Sequence, residues 1–390
     1  MAVKGVFASN SNVVAARKGD FASGLLQVNP TGTAPFFALS AGMRSRDAMD
    51  TIVTWFEENH LAGVTNITNN AGTGVTIVVD DASHVVAGMI FLVQSTGEYI
   101  FIEGVSGTTL TVTRGYGPVA AQATDGSSTA VPMQRIGTAF EEASDRPTAY
   151  ANLGYPRFNY TQIFRNSWDV SGTVSSLEFY TGNPIAKNRS DAALFHAEDI
   201  ERSSVFGVKG VGSYNGKPFR TMDGIKAQIT TNVASQSTNT KWTDLRGFFQ
   251  DVFANNIKGQ PNERLAFCGN TVVATVEDMA RKDSQINIFP NQEDYGFDIY
   301  TLRTPFGTVK LLTHPLFNEN DYWTKDMLVV HPGAVEYRYL RRTNEDAYDR
   351  NGTRAGVDAD YGVFTTELSV VYQAEKTGGY YTGIDTAAAS

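Results

Sequence analysis

The sequence predicts an α+β fold: an extended arm, a long two-legged β loop carrying an all-β insert, one long helix and an α/β domain. Three observations carry this reading. A helix-period stretch with both ends marked covers 184–206, short β-type runs separated by turn residues fill 61–132, and helix and strand patterns alternate over 213–327. A chain of 390 residues buries a sizeable core and has room for two or three domains. Hydrophobic residues at 42% against 19% charged describe a folded protein, and a formal charge of -9 argues against a surface that reads nucleic acid. An acidic wall can still enclose DNA without gripping it. No apolar run nears the roughly 18 residues that cross a bilayer, and the start, MAVKGVFASN, lacks the apolar core of a signal peptide, so no membrane partner and a cytosolic site of synthesis are expected. Cys268 is the single cysteine and lies in the apolar context Leu265-Ala266-Phe267, which suits a buried small hydrophobe better than a reactive thiol.

In chain order, residues 1–50 are rich in Gly, Ala, Ser and Asn, with apolar residues such as Phe36 and Phe37 scattered without a period. Such an arm cannot bury its own hydrophobes and is expected to order only against its own body or a neighbour. Thr51 to His60, with Trp55 at its centre, reads as a strand. Four β-type runs follow, at 75–79, 89–93, 99–105 and 109–114, and their turn spacing favours a small closed barrel or sandwich. From 134 to 180 the chain is extended again, with Gln162 and Phe164 on an alternating strand. Segments 51–60 and 133–180 are read as two legs of one loop, with 61–132 inserted near its tip.

The long helix comes next. Asn183 is its expected cap, Pro184 fits the first position, and Gly207 is expected to supply a left-handed stop. Ala186, Ala193, Ala197 and Ile200 fall on one side, widened by Ile185, Leu194 and Phe195, and this side is expected to be the buried one. At 1.5 Å per residue the rod is roughly 35 Å long. A Gly-rich hinge over 207–212 leads to a helix capped by Thr243 with Leu245, Phe248, Phe249, Val252 and Phe253 on one face. A strand at 264–268, a helix opened by Asn270, and a hairpin turning at 305–307 complete the α/β region. Extended runs at 327–330, 335–340 and 364–372 enclose a polar loop, 341–361, holding Asp346, Asp349, Asp358 and Asp360, and the tail from Thr382 is expected to fray.

Chemistry is hard to find. The histidines, His60, His84, His196, His314 and His331, are dispersed without metal-ligand spacing, and satisfied core or surface roles suit them. The acidic loop does not reproduce the ligand spacing of a Ca²⁺ loop, no Gly-x-Ser-x-Gly elbow occurs, and the adjacent carboxylates Glu57-Glu58 and Glu141-Glu142 face opposite ways on a strand. No cofactor, metal or catalytic residue is expected, and the chain does not read as an enzyme.

The arrangement resembles the major capsid protein of tailed bacteriophages, the Hong Kong ninety-seven fold. Local motifs agree in order. Thr33-Ala34-Pro35-Phe36-Phe37 with Trp55 is similar to the way one branch begins its body, and Gln162-Ile163-Phe164 with Val170-Ser171-Gly172-Thr173 to that branch's loop return. Phe219 to Ile225 resembles its domain entry, and Gly362-Val363-Phe364 with Thr366-Glu367-Leu368 its closing strand. That branch is the SU-ten-like one. The resemblance implies an N-arm (1–50), E-loop legs (51–60 and 133–180) around an inserted β domain (61–132), a P-domain (181–212 and 328–384) with its spine helix, an A-domain (213–327) reaching a ring axis through some of 281–293, and a tail (385–390). It further implies pentamers and hexamers closing an icosahedral head around double-stranded DNA without sequence readout. Separate scaffolding and portal proteins are possible partners, and the head is expected to assemble in the host cytoplasm. On this reading Ala186, Ala193, Ala197 and Ile200 of the spine helix, and Phe36, Phe37, Trp55, Gln162 and Phe164 of the arm and E-loop, serve assembly. An encapsulin shell around a protein cargo, or a β-rich virion surface or tail protein, are the alternatives.

Overall fold

The computed structural model describes residues 44–58, 63–149, 154–179, 182–236, 240–282, 288–294, 297–348 and 358–385. Phe36 and Phe37, His60, Asp349 and most of the arm lie outside them. Two compact units divide the chain, one formed by 56–156 and the other by the segments on either side.

After β1 (Arg44–Asp47) and β2 (Ile52–Glu57), the smaller unit contains β3 (Val64–Ile67), β4 (Asn70–Gly72), β5 (Thr76–Val78), β6 (Met89–Val93), β7 (Tyr99–Ser106), β8 (Thr109–Arg114), β9 (Thr124–Asp125) and β10 (Val131–Thr138). Six of them pair in the order β3-β10-β6-β7-β8-β5. The sheet closes on itself where Ile67 of β3 bridges Val79 just past β5, which removes the open edges that invite aggregation. Period-two alternation fills the barrel: Met89, Phe91 and Val93, then Ile100 and Ile102, then Leu110 and Val112 point into one core with Ile67, Ile77 and Met133. One ion pair is enclosed at its end. Arg114 reaches Glu98 through Nε at 3.0 Å and Nη2 at 2.6 Å, and donates to the Gly72 and Gln122 carbonyls, while Glu98 accepts from the Gly115 and Gln122 N–H groups. Burial raises the Glu98 carboxyl, but Arg114 and these N–H groups outweigh it and hold it below the usual carboxylate range.

The larger unit continues with β11 (Tyr155–Tyr160), which pairs with β2, then β12 (Gln162–Ser171), α1 (Pro184–Phe206), the hairpin β13 (Gly210–Tyr214) and β14 (Lys217–Thr221), β15 (Val233–Ser235), α2 (Trp242–Phe253), β16 (Glu263–Cys268), α3 (Asn270–Lys282), β17 (Ile288–Asp294), β18 (Phe297–Thr304), β19 (Gly307–Thr313), β20 (Met327–Val330), β21 (Val335–Tyr348), β22 (Ala359–Tyr372) and β23 (Gly379–Thr382). A four-stranded sheet, β1-β21-β22-β12, carries α1, and a seven-stranded mixed sheet runs β15-β23-β20-β16-β19-β18-β17. Strands buried on both faces read as continuous apolar runs. On β16, Leu265 and Phe267 enter the core shared with α1, while Ala266 and Cys268 enter the core under α2 and α3. Burial pushes the Cys268 thiol up to about 12, so it packs as a hydrophobe.

Several local expectations are corrected. Gly207 does not stop α1 in a left-handed conformation; its φ is -57°, and a Cβ there would lie 2.4 Å from the Ser203 carbonyl oxygen, so close backbone approach explains the glycine. The Gly-rich hinge is a strand of the β13–β14 hairpin, turned by Asn215 and Gly216, both at positive φ, as an Asn-Gly turn requires. Thr243 lies inside α2; Lys241 holds the N-cap position, and its N–H donates to Asp244 Oδ2 at 3.0 Å. Within the loop expected over 341–361, the described residues 341–348 and 359–361 are strand: Asp346 pairs across from Val363 and Asp360 from Val170, because ladder bonds extend past the apolar alternation. Of the tail expected to fray, residues 383–385 are held, with Ile384 fully buried and its N–H on the Lys325 carbonyl, while 386–390 lie outside the described residues. Part of the segment expected at the ring axis, 288–293, is strand.

Candidate functional site

The buried face of α1 is not the alanine stripe. Ala192, His196, Ile200 and Ser204, four residues apart, face inward, joined by Glu201 and Val205 near the C-terminal end. Ala186 and Ala193 are exposed, Ala197 is half-buried, and only Ile200 of the expected four is enclosed. The mismatch has a physical cause, since half the true face is polar and a hydrophobicity pattern does not register it. His196 holds Asn166 Oδ1 at 2.8 Å and Thr366 Oγ1 at 2.7 Å on its two ring nitrogens, and burial pushes its pKa down, which favours the neutral ring. His314 accepts the Leu316 N–H on Nδ1, so its proton sits on Nε2, 2.6 Å from Glu201 Oε1. Ser204 Oγ donates to the Ile200 carbonyl. These bonds fasten the helix to β12, β22 and the segment at 314, and each buried polar group is satisfied.

Of the remaining expected residues, the three described ones, Trp55, Gln162 and Phe164, are engaged within their own chain. Trp55 is buried with Val53 and Val371, and Phe164 lies in the core beneath α1. Gln162 accepts the Met222 N–H at 3.0 Å and donates to Ser203 Oγ at 3.4 Å. The alternation of β12 puts Phe164, Trp168 and Val170 inward and leaves Ile163 outward. None of the three therefore presents its side chain as a free contact surface. Trp168 and Arg189 instead meet on Glu345, with Trp168 Nε1 3.1 Å from Oε1.

Between residues 158 and 219 of the larger unit, large hydrophobic side chains are exposed on β11, β12, the outer side of α1 and the β13–β14 hairpin. Exposed apolar area, where contiguous, marks interaction surfaces. On α1 they are Leu194 and Phe195, 40% and 54% exposed, beside Arg202, which gathers Glu319 at 2.8 Å, Glu198 at 3.4 Å and Asp199 at 3.7 Å. Among the described residues no group of three or more His, Cys, Asp and Glu could hold a metal, and no helix is long and apolar enough to cross a membrane. What the surface offers is area, aromatic rings and charge.

Comparison with known proteins follows the same direction. A profile of the SU10 major capsid protein family matches residues 7–385. The chain is 28% identical over 388 residues to a major capsid protein of Pseudomonas phage PaMx41, covering 94% of this chain and 92% of that protein. Among solved structures, the capsid of Myoviridae phage XM1 has 9% identity and a TM-score of 0.46, covering 98% of this chain and 100% of its own. A chain from Mycobacterium phage Cain has 10% identity and a TM-score of 0.47, covering 99% and 100%. The holo-SrpI encapsulin complex from Synechococcus elongatus PCC 7942 has 10% identity and a TM-score of 0.44, covering 60% and 79%. With TM-scores below 0.5, these structural likenesses add no weight to the sequence match.

Proposed function

The chain belongs to the SU10 major capsid protein family, and from that premise we propose that it closes an icosahedral head through pentamers and hexamers with the Hong Kong ninety-seven fold. It is a major capsid protein of a phage, a structural protein of the virion shell. The single observation that carries the reading is the family match over 7–385. The exposed apolar surface between 158 and 219 supports it, because one copy leaves that area wet and a ring of copies can cover it.

In this reading the arm is 1–50 and the long loop is 51–60 with 133–180, carrying the β domain 61–132. The spine helix is α1 within a P-domain of 181–212 and 328–384, the A-domain is 213–327, and 385–390 is a tail. Some of residues 281–293 approach the ring axis. The exposed Ala186 and Ala193, with Ala197, contribute to contacts between copies, Phe36 and Phe37 act from the arm, and Ile200, Trp55, Gln162 and Phe164 act indirectly by fixing the surfaces that make contact. The shell confines double-stranded DNA without sequence readout, since a formal charge of -9 disfavours adhesion to phosphate. Separate scaffolding and portal proteins act with it in the host cytoplasm, and it performs no catalysis.

Electron microscopy of the expressed full chain, with and without a co-expressed scaffold, tests this. Closed shells of five- and six-membered rings are expected. A protein cargo inside them would favour the encapsulin alternative, and rods or persistent monomers would overturn the reading.

A further inference from the structure

The β13–β14 hairpin is a two-stranded unit packed on β12, of a size that is marginal alone in water. Its register places Gly212, Tyr214, Lys217 and Phe219 on one face, because residues across from each other share a side. Tyr214 and Phe219 are 74% and 50% exposed, the Phe219 ring lies so close over Gly212 that a Cβ there would be 2.4 Å away, and Lys217 makes no ion pair among the described residues. With Arg220 on the opposite face, the hairpin carries only positive charge between Gly210 and Thr221. It is a basic, aromatic protrusion on an acidic chain.

The outer side of α1 is its complement. At 100° per residue, Asp191, Leu194, Phe195, Glu198 and Arg202 share one side, opposite the Ala192–His196–Ile200 face, with Asp199 at its margin, where it accepts from Asn166 Nδ2. Arg202 meets three carboxylates, of Glu198, Asp199 and Glu319, so the cluster keeps a surplus of negative charge around a single guanidinium, next to the exposed Phe195 ring.

We propose that the Tyr214–Lys217–Phe219 face of one copy docks on the Phe195–Glu198–Glu319 face of α1 in a second copy. This rests on the assembly reading above and names one of its contacts. A ring with fivefold or sixfold symmetry needs two different, mutually complementary surfaces on each chain, and these two match in sign and in aromatic content. Like-charged alternatives are disfavoured, since hairpin against hairpin or helix face against helix face would repel.

The test uses the full chain and a charge exchange. Lys217→Glu and Glu198→Lys, each folded by circular dichroism, should each cut shell yield by about ten-fold or more in low salt. The double variant K217E/E198K should recover most of it. Tyr214→Ser should lower yield at every salt concentration, whereas the Lys217→Glu defect should shrink as salt screens it. If the wild-type chain forms shells and Lys217→Glu forms them equally well, or the folded double variant stays as defective as the singles, the contact is wrong while the capsid reading stands. If the wild-type chain forms no multi-copy particle, the capsid reading itself fails.

Discussion

The barrel of residues 64–138 and the sheet-and-helix unit around α1 satisfy themselves in different ways. The barrel closes its sheet, fills its interior by strict alternation and pairs its buried charges, Glu98 and Arg114. The α1 unit encloses two cores as well, yet keeps Leu194, Phe195, Tyr214 and Phe219 on its outside and fastens its central helix through buried polar bonds. The barrel also leaves large apolar side chains exposed, Val75 and Ile136 among them, so the two regions differ in how they close their interiors: by strand alternation in one, by buried polar bonds on a central helix in the other.

The largest effect is expected for Ile200→Asp. It puts an unpaired carboxylate into the core beneath α1, at a cost on the order of 4 kcal/mol or more, and insoluble or unassembled protein should result. Normal particles would mean that the inward face of the helix is misassigned. Next is Glu98→Gln, which leaves Arg114 buried without its counter-charge. A loss of ~3–5 kcal/mol confined to the barrel is expected, read as proteolytic cutting within 64–138 while the α1 unit stays protected. Cutting spread across both units would break the contrast between them.

Acid should separate the two regions. Burial first, then the nearby Arg264 charge, push the His331 imidazole down to about 4 from 6.5. Between these values the unfolded chain binds a proton that the folded chain refuses. The stability present above pH 6.5 is therefore lost as pH falls toward 4, at up to ~1.4 kcal/mol per pH unit. Glu98 is held below the usual carboxylate range, so the barrel keeps that contribution until the pH falls into that range and loses it progressively on further acidification. Hydrogen exchange at pH 7 and pH 5 should show the α1 unit loosening first, and His331→Asn should flatten the trend. Equal loosening of both units would contradict this order. The smallest effect belongs to Asn183→Ala, which removes the side-chain acceptor of the Ile185 and Ala186 N–H groups and should cost ~1 kcal/mol in thermal unfolding.

What the sequence made legible tracks how each element is stabilised. The limits of α1 were readable because Asn183 and Pro184 act locally, and the faces of α2 and α3 because their burial is apolar. The inward face of α1 was not, because His196, Glu201 and Ser204 are buried by hydrogen bonds from distant segments. The i, i+4 series Ala192, His196, Ile200 and Ser204, half of it polar, was the one available sign. The strands β3 and β10 that complete the barrel were missed, since their alternation is short and mixed with Asn, Gln and Pro. The β13–β14 hairpin was missed although Asn215-Gly216 announces its turn, because the flanking glycines suggested a hinge. For Trp55, Gln162 and Phe164, motif position gave no indication of whether a side chain faces inward or toward a neighbour; only strand register determines that.

The most direct measurement is hydrogen exchange on the same full-length preparation before and after assembly into particles. Amides between 158 and 219, the hairpin and the outer turns of α1 above all, should gain strong protection on assembly, while those lining the barrel core between 64 and 138 should already be protected in the free chain. Equal protection of the 158–219 region in both states, or a barrel that becomes protected only in the particle, would contradict the account.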